Sequence, residues 1–370
     1  MGRTIILVGL GNIGSHVAPH LARMADVSHV VLVDQDKYDR TNVASQAITP
    51  GECGRGKAQV QGLRLKRIRP SLGVTAIAAR VEDVPLGRLR GDVILACVDN
   101  RAARQYLNQA ARHLGLPLID AGVHADGGLA RVSIYPADPK AACLECAWGQ
   151  PEYDAIEQSF PCIPGGGAAT AATGAPAQLG ALAGALQAIE CQRLLSGATP
   201  VLHGAHEIIV DAASHRTLAT RFLRHDDCRL PEHAPRRIHP LSEGPEDLTL
   251  LAALDLRAAS DGRQAARLSL EGQPFVTRLS CLACGHETEM LRLRRSLTGR
   301  DRTCKRCRGR LEAAAADLRQ SLALGELPDP AHARTLRALG FEEHDIFGVQ
   351  RGVISRYFEL RGAARAPQRT

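Results

Sequence analysis

Aromatic side chains are scarce in this chain, with one Trp, five Tyr and six Phe among 370 residues. A core must therefore be filled by small and aliphatic side chains, and a hydrophobic content of 45% supplies them. No stretch approaches the roughly 20 uninterrupted apolar residues of a membrane-spanning helix. The opening residues, MGRTIILVGLG, lack the layout of a secretory signal and run directly into a strand and a glycine turn. Both absences predict a cytoplasmic protein with no membrane partner. There is no internal repeat. A strong charge of one sign is missing as well, since 46 basic and 39 acidic residues leave +7. That balance permits an acidic partner or nucleic acid without demanding either.

Cysteine, by contrast, is plentiful at eleven residues. In a reducing compartment these are expected as thiols, metal ligands or nucleophiles rather than disulfides. Six of them form three CxxC pairs: Cys143/Cys146, Cys281/Cys284 and Cys304/Cys307. The last two pairs stand 19 residues apart, the spacing of a zinc ribbon in which two knuckles share one tetrahedral metal. Gly285 follows Cys284 as a knuckle turn requires. The first pair is a half-site. Cys228 with His233, or with His225, can complete it, and borrowing from the ribbon is the alternative. Two zinc ions are expected, both structural, because four protein ligands leave no open position. Cys53, Cys97 and Cys191 read as core or surface thiols.

The length suits about two domains. Apolar runs at 4–8, 29–33, 74–78, 92–97 and 118–121 alternate with helical patterns over 56–68 and 101–114, and a later strand is expected at 129–135. This alternation predicts an α/β fold with a Rossmann-like, doubly wound sheet. The expected first domain covers 1–240, with a crossover loop near 150–167, a buried small-residue helix within 168–195 and two strands near 208–222. Residues 246–310 are expected to form the zinc-ribbon module and 311–360 a helical tail. That tail either packs on the rest of the chain or docks a partner. Residues 361–370 are expected to be disordered.

Gly9-Leu10-Gly11-Asn12-Ile13-Gly14 follows a strand and opens a helix. The first glycine allows the turn, the second lets phosphate approach, and the helix start offers free N–H groups. Asp34 ends the second strand roughly 20 residues later, in position for ribose hydroxyls. This much fits any dinucleotide enzyme, NAD-dependent ones included. Further residues favour ATP: Asp36, Asn42, Lys57 in Gly54-Arg55-Gly56-Lys57, and Asp99-Asn100 at the end of a strand, with Arg104 on the next helix. A lysine there can neutralise phosphate as pyrophosphate leaves, and an aspartate can hold Mg²⁺.

The D-x-D after the second strand, the loop Asn42, the G-x-x-K and the D-N-x-x-x-R together resemble the ubiquitin-activating superfamily. Its bacterial members include the molybdopterin-synthase and thiazole-biosynthesis adenylyltransferases. The resemblance runs from residue 4 to about 233 and continues through the strand entry at 127–132 and the helix at 184–190. It implies that Asp34 holds ribose, Lys57 contacts phosphate, Asp99 organises Mg²⁺ and Asn42 positions the triphosphate. Two features depart from the family. Ser45 stands where an arginine is usual, and no arginine-bearing helix precedes the first strand. Phosphate stabilisation then falls to Arg55, Arg101, Arg104 or a second subunit in a homo- or heterodimer.

Cys162, in Ser159-Phe160-Pro161-Cys162-Ile163-Pro164-Gly165-Gly166, lies where the family has its crossover loop. The resemblance implies a thioester there, because a thiolate attacks an acyl-adenylate readily. The leading expectation is therefore ATP-dependent adenylation of the C-terminal glycine of a ubiquitin-like protein, then thioester formation on Cys162 and transfer to a partner such as a conjugating enzyme. The alternative is adenylation of a sulfur-carrier protein for cofactor or tRNA-thiolation biosynthesis, with no obligatory thioester. A reading from another class is a zinc-ribbon nucleic-acid-binding protein with a degenerate nucleotide site. It draws on Arg295, Arg300, Arg302, Lys305 and Arg306, but it leaves Lys57 and Asp99 unexplained, so nucleic acid is not the expected partner.

Overall fold

A computed structural model describes residues 2–159, 174–198, 202–230, 232–256 and 266–362. The chain divides into two compact units. The first holds the described residues up to 236 apart from 85–88, and the second holds 85–88 and the described residues from 237 onward.

The first unit runs β1 (Arg3–Val8), α1 (Asn12–Leu21), β2 (Val27–Val33), α2 (Lys57–Ile68), β3 (Gly73–Ile77), β4 (Val93–Ala96), α3 (Arg101–Leu114), β5 (Leu118–His124), β6 (Leu129–Tyr135), α4 (Gln150–Ser159), α5 (Ala177–Leu195), β7 (His206–Asp211) and β8 (Arg216–Arg221). The strands form one sheet in the order β3-β2-β1-β4-β5-β6-β7-β8. The pairs among β1 to β5 are parallel, and those from β5 through β8 are antiparallel. The central strands are buried along their lengths, so they read as continuous aliphatic runs rather than alternating ones. Ile5, Leu7, Leu32, Leu95 and Ile119 are fully buried in this core.

Chain order reverses where β1 stands between β2 and β4, which opens a crevice at the carboxyl ends of the strands. α5 packs on α1, β5 and β6 through small residues. A Cβ on Gly180 would lie 1.6 Å from Asn12 Oδ1, so glycine there lets the two helices approach this closely. α5 is not buried all round as its composition suggests, since Ile189 is 51% exposed.

One expectation for this unit needs correction. Part of the crossover loop near 150–167 is the helix α4, anchored by Tyr153, whose hydroxyl donates to the buried Glu145 at 3.2 Å. The Gln150 side chain adds a bond to Asp154 one turn on at 2.6 Å, which favours helix over loop.

The second unit contains β9 (Ile238–Leu241), α6 (Leu250–Asp255), β10 (Arg267–Ser269), β11 (Phe275–Cys281), β12 (Glu287–Leu293), β13 (Leu311–Glu312), β14 (Leu318–Arg319), α7 (Asp329–His332), β15 (Ile346–Arg351) and β16 (Ile354–Leu360). One sheet has the order β10-β15-β16-β9. In the other, β11 pairs with β12, β13 and β14.

The helical tail expected over 311–360 is therefore mostly strand and turn. Its longest elements, β15 and β16, form a hairpin that turns at Gly352 with φ +59°. Phe347 and Phe358 face each other across it, and Phe341 meets Phe347 edge-on. β-branched and aromatic residues on a half-buried surface favour strand over helix. The ribbon and the tail also share one core, because Phe275 and Leu293 of the ribbon pack with Leu336, Phe341, Phe347 and Phe358. The scarce aromatics are concentrated here. The packing alternative for the tail accounts for these side chains.

Asp345 is fully buried and forms an ion pair with Arg295, whose side chain is 4% exposed. Burial pushes the Asp345 carboxyl up to about 6, with Arg295 opposing it. Removing one partner of such a pair costs about 3–5 kcal/mol, because the other is left uncompensated. Arg295→Met is expected to destabilise the second unit by that amount, seen as a lower urea midpoint and faster amide exchange in β15 and β16. Unchanged exchange there would show that the pair is hydrated in solution.

Candidate active site and metal centres

The glycine loop between β1 and α1 lies at the switch point of the sheet. Gly9 has φ +85°, and a Cβ on it would sit 2.5 Å from the Cys97 carbonyl oxygen. A Cβ on Gly14 would lie 1.9 Å from the Gly9 carbonyl oxygen, so this position closes the turn onto the helix. Gly11 differs, since the nearest atom to its Cβ would be Gln46 Nε2 at 4.0 Å. Glycine at 11 leaves space facing the cavity, and glycine at 9 and 14 allows the backbone to pack.

Asp34 fastens this loop. One carboxylate oxygen accepts from the Leu10 N–H at 2.7 Å and the other from the Asp36 N–H at 2.8 Å. Burial raises its pKa, and the nearby Lys57 charge pulls it back down. Lys57 opens α2 and is 9% exposed, with Nζ 3.2 Å from Asp36 and above the ring of Tyr38. Tyr38, which the sequence reading passed over, donates its hydroxyl to the Leu10 carbonyl at 2.8 Å and receives the Gln61 amide at 2.8 Å. It braces the loop from below.

Around these residues is a cavity of about 660 Å³. Gly9, Gly11, Asp34, Asp36, Asn42, Lys57, Asp99, Asn100 and Arg104 all line it. Gly14 lies behind the loop. The structure thus brings together nearly every residue singled out for nucleotide binding, but their side chains have different commitments. Asn42 is tied up in a capping box, accepting from the Asp39 N–H at 3.1 Å. Asn100 caps α3 by accepting from the Ala103 N–H at 2.8 Å, which leaves Asp99 at the cavity wall.

Arg104 turns into the protein. It donates to the Val98 carbonyl at 2.7 Å and pairs with Asp120 at 3.1 Å. Asp120 is fully buried and also pairs with Arg131 at 2.9 Å, so one carboxylate behind the cavity wall joins two of its lining arginines. Asp120 and Arg131 were not marked as site residues in the sequence. The available signal was an acidic residue in an otherwise apolar strand, opposed by an arginine on the next. Arg101 lines the cavity with its side chain 49% exposed, whereas Arg55 is exposed and is not a lining residue. Ser45 also lines the wall.

Cys162 lies outside the described residues. Cys97 and Cys191 are buried, and burial pushes both thiols up, away from the reactive thiolate. They read as core residues. Cys97 donates to the Gln187 side chain at 3.0 Å, and Gln187 in turn bridges β4 and β5 through the Ala96 and Ile119 carbonyls.

Two groups of soft donors are gathered elsewhere. Cys143, Cys146, Cys228 and His233 form one, and Cys281, Cys284, Cys304 and Cys307 the other, with all donor atoms of each group within 4.8 Å of one another. Sulfur–sulfur separations of 3.7 Å for Cys143/Cys228, 3.4 Å for Cys281/Cys307 and 3.8 Å for Cys284/Cys304 suit a tetrahedron. Four thiolates about 2.3 Å from a zinc ion would stand roughly 3.8 Å apart. His233, not His225, belongs to the first group. Its Nδ1 is 3.2 Å from the Ala141 carbonyl oxygen, which turns Nε2 toward Cys146. The Cys143–Cys146 turn is held by Glu145, which accepts from Gln105, Asn108 and Tyr153.

Comparison with known proteins places this geometry in context. The sulfur carrier protein ThiS adenylyltransferase of Escherichia coli K12 is 34% identical over 196 residues, covering 52% of this chain and 72% of that protein. The sulfur carrier protein adenylyltransferase of Thermus thermophilus is 29% identical over 225 residues, covering 59% of this chain and 79% of that protein. Among solved structures, E. coli MccB with ATP superposes with a TM-score of 0.51 at 20% identity, over 62% of this chain and 66% of MccB, a likeness of fold. The model of the ThiF family matches residues 3–230, the stretch that contains the glycine loop, Lys57, Asp99 and the first donor group up to Cys228. With more than half of its length matched in this way, the chain belongs to the ThiF family.

Proposed function

We propose that this protein uses ATP to convert a carboxylate into an acyl-adenylate, and that the carboxylate is the C-terminal glycine of a small sulfur-carrier or ubiquitin-like protein. The observation that carries the reading is the convergence of the glycine loop, Asp34, Lys57 and Asp99 on one cavity at the switch point of the sheet. An oxygen of the acyl carboxylate attacks the α-phosphorus, and pyrophosphate leaves with the electrons of the broken P–O bond. The loop N–H groups and the start of α1 receive phosphate oxygens. Asp34, already oriented by Leu10 and Asp36, has lone pairs left for the ribose hydroxyls. Lys57 exchanges its contact with Asp36 for the leaving phosphates. A divalent ion brought with the nucleotide would be held by Asp99 and would supply charge neutralisation. Arg104 acts as a brace, because its guanidinium is occupied by Asp120 and the Val98 carbonyl.

The relatives' names favour sulfur-carrier adenylation over a path that must pass through a thioester on Cys162. Formation by wild type, but not by Cys162→Ser, of an adduct cleaved by hydroxylamine and stable to a phosphine reductant would restore the thioester path.

Calorimetric titration with Mg-ATP tests the nucleotide reading. Saturable binding is expected, weakened at least about tenfold by Asp99→Ala, the loss of one charge-assisted contact. Gly11→Ala is expected to lower ATP affinity with an unchanged melting temperature, because its new methyl faces the cavity and meets only Gln46 Nε2 at an unstrained 4.0 Å in the free protein. Binding of NAD in place of ATP would overturn the proposal.

The two donor groups are proposed to hold one structural zinc ion each. Elemental analysis should give two zinc per chain, one after Cys143→Ser and one after Cys304→Ser. Chelation should lower the melting temperature of both units, since metal binding is coupled to folding. Full thermal stability with no bound metal would refute this assignment.

A further inference from the structure

The two knuckles of the ribbon are built on one plan. In the first, the Cys281 N–H donates to the His286 carbonyl and the Gly285 N–H to the Cys281 carbonyl, at 2.9 and 3.0 Å. In the second, the Cys304 N–H donates to the Gly309 carbonyl and the Arg308 N–H to the Cys304 carbonyl, at 2.8 and 2.9 Å. Gly285 and Arg308 are therefore equivalent positions, and both lie in the left-handed region, with φ +68° and +60°. Glycine accepts that conformation freely, whereas an L side chain is strained in it. The second knuckle retains an arginine where its twin has the unstrained residue.

Charge follows the same division. The first knuckle carries Leu282 and Ala283 between its cysteines, and the second carries Lys305 and Arg306. Arg300, Lys305, Arg306, Arg308 and Arg310 are exposed. Among the described residues, only Arg310 has a carboxylate within ion-pair distance, Glu312 at 2.8 Å. Asp301, the one acid within this stretch, is occupied by the N–H and hydroxyl of Thr298 and by Arg292. The bridge between Thr303 and Arg310 and the Leu311 N–H bond to the Arg302 carbonyl fold these cations onto one hairpin. Four thiolates around one zinc ion leave that centre negative, which offsets part of this charge, and the remainder faces solvent.

We propose that the second knuckle is a docking surface for the phosphate backbone of a nucleic acid, read by charge and not by base. Five of the six cations from Arg300 to Arg310, counting Arg302, are arginine, whose planar fork matches phosphate oxygens. A protein partner calls for an apolar centre with charges at its rim. This knuckle has no exposed apolar or aromatic side chain, and the exposed Leu282 belongs to the other one. This surface changes the expectation of no nucleic-acid partner, which rested on Lys57 and Asp99 being left unexplained. It is independent of the reaction proposed for the first unit.

The test is fluorescence anisotropy of the full, zinc-replete chain with a labelled single-stranded RNA and a DNA of the same sequence, each about 20 nucleotides long and titrated at about 50 to 200 mM salt. Affinity is expected to fall with salt at a log–log slope of about −0.7 per phosphate contact. Lys305→Gln with Arg306→Gln and Arg308→Gly should weaken binding at least about tenfold at the lowest salt and flatten that slope by about 2. Arg308→Gly alone should weaken binding while keeping or raising the melting temperature and keeping the zinc content, which separates contact from folding. Binding of either strand supports the proposal, and preference for RNA or DNA identifies the source. Unchanged affinity in the triple variant overturns it. So does displacement by polyglutamate as effective as that by the same concentration of unlabelled RNA phosphate, which would point to an acidic protein.

Discussion

The nucleotide half of this protein depends on a carboxylate that joins two strand ends. Asp34 closes β2 and accepts hydrogen bonds from Leu10, just past β1, and from Asp36, just past itself. Without that clamp the glycine loop would keep only the Gly9 N–H bond to the Val33 carbonyl and the Tyr38 bond to the Leu10 carbonyl, and glycine loses the most conformational freedom on ordering. The clamp has an electrostatic cost. Burial raises the Asp34 pKa, and the Lys57 charge offsets this. The lysine proposed to meet phosphate is thus also part of what keeps the clamp ionised. Tyr38 completes the arrangement by holding the Leu10 carbonyl from below.

Below the cavity, a second buried charge does comparable work. Asp120 sits between Arg104 and Arg131 with no solvent exposure, and Arg131 continues to Glu207 on β7. This chain of charges crosses from the parallel half of the sheet to the antiparallel half. It holds the strand ends in register where a ligand must fit. It also explains why an arginine in a D-N-x-x-x-R pattern faces inward: the fully buried aspartate has more to lose from being unpaired than a solvated phosphate would.

The second unit reaches its fold by other means. It concentrates Phe275, Phe341, Phe347 and Phe358 in one core, buries the Arg295–Asp345 pair and gathers four cysteines within bonding reach of one ion. Small sheets bury little surface, and the rings and the cysteine cluster compensate for it. The two knuckles share a backbone plan and differ in what they present to solvent, Leu282 on one and Lys305 with Arg306 on the other.

The β1–β5 half of the sheet was legible because β1 and β4 are continuous aliphatic runs, the strands beside them are largely apolar, and helices alternate with them. The glycine loop, Lys57 and Asp99 follow those strand ends at fixed short offsets. The ribbon cysteines were legible for the same reason, since a knuckle is a local structure. The tail was misread because Leu336 and Leu339 have helical spacing, while the strand signal at 346–360 rests on two short runs around Gly352. What the sequence alone determined was therefore whatever is set by local spacing: strand identity, loop chemistry and paired cysteines. Only the tertiary structure decided that His233 and not His225 joins Cys143, and that Arg104 faces Asp120. Those outcomes depend on contacts between residues far apart in the chain, where burial and pairing outweigh any local preference.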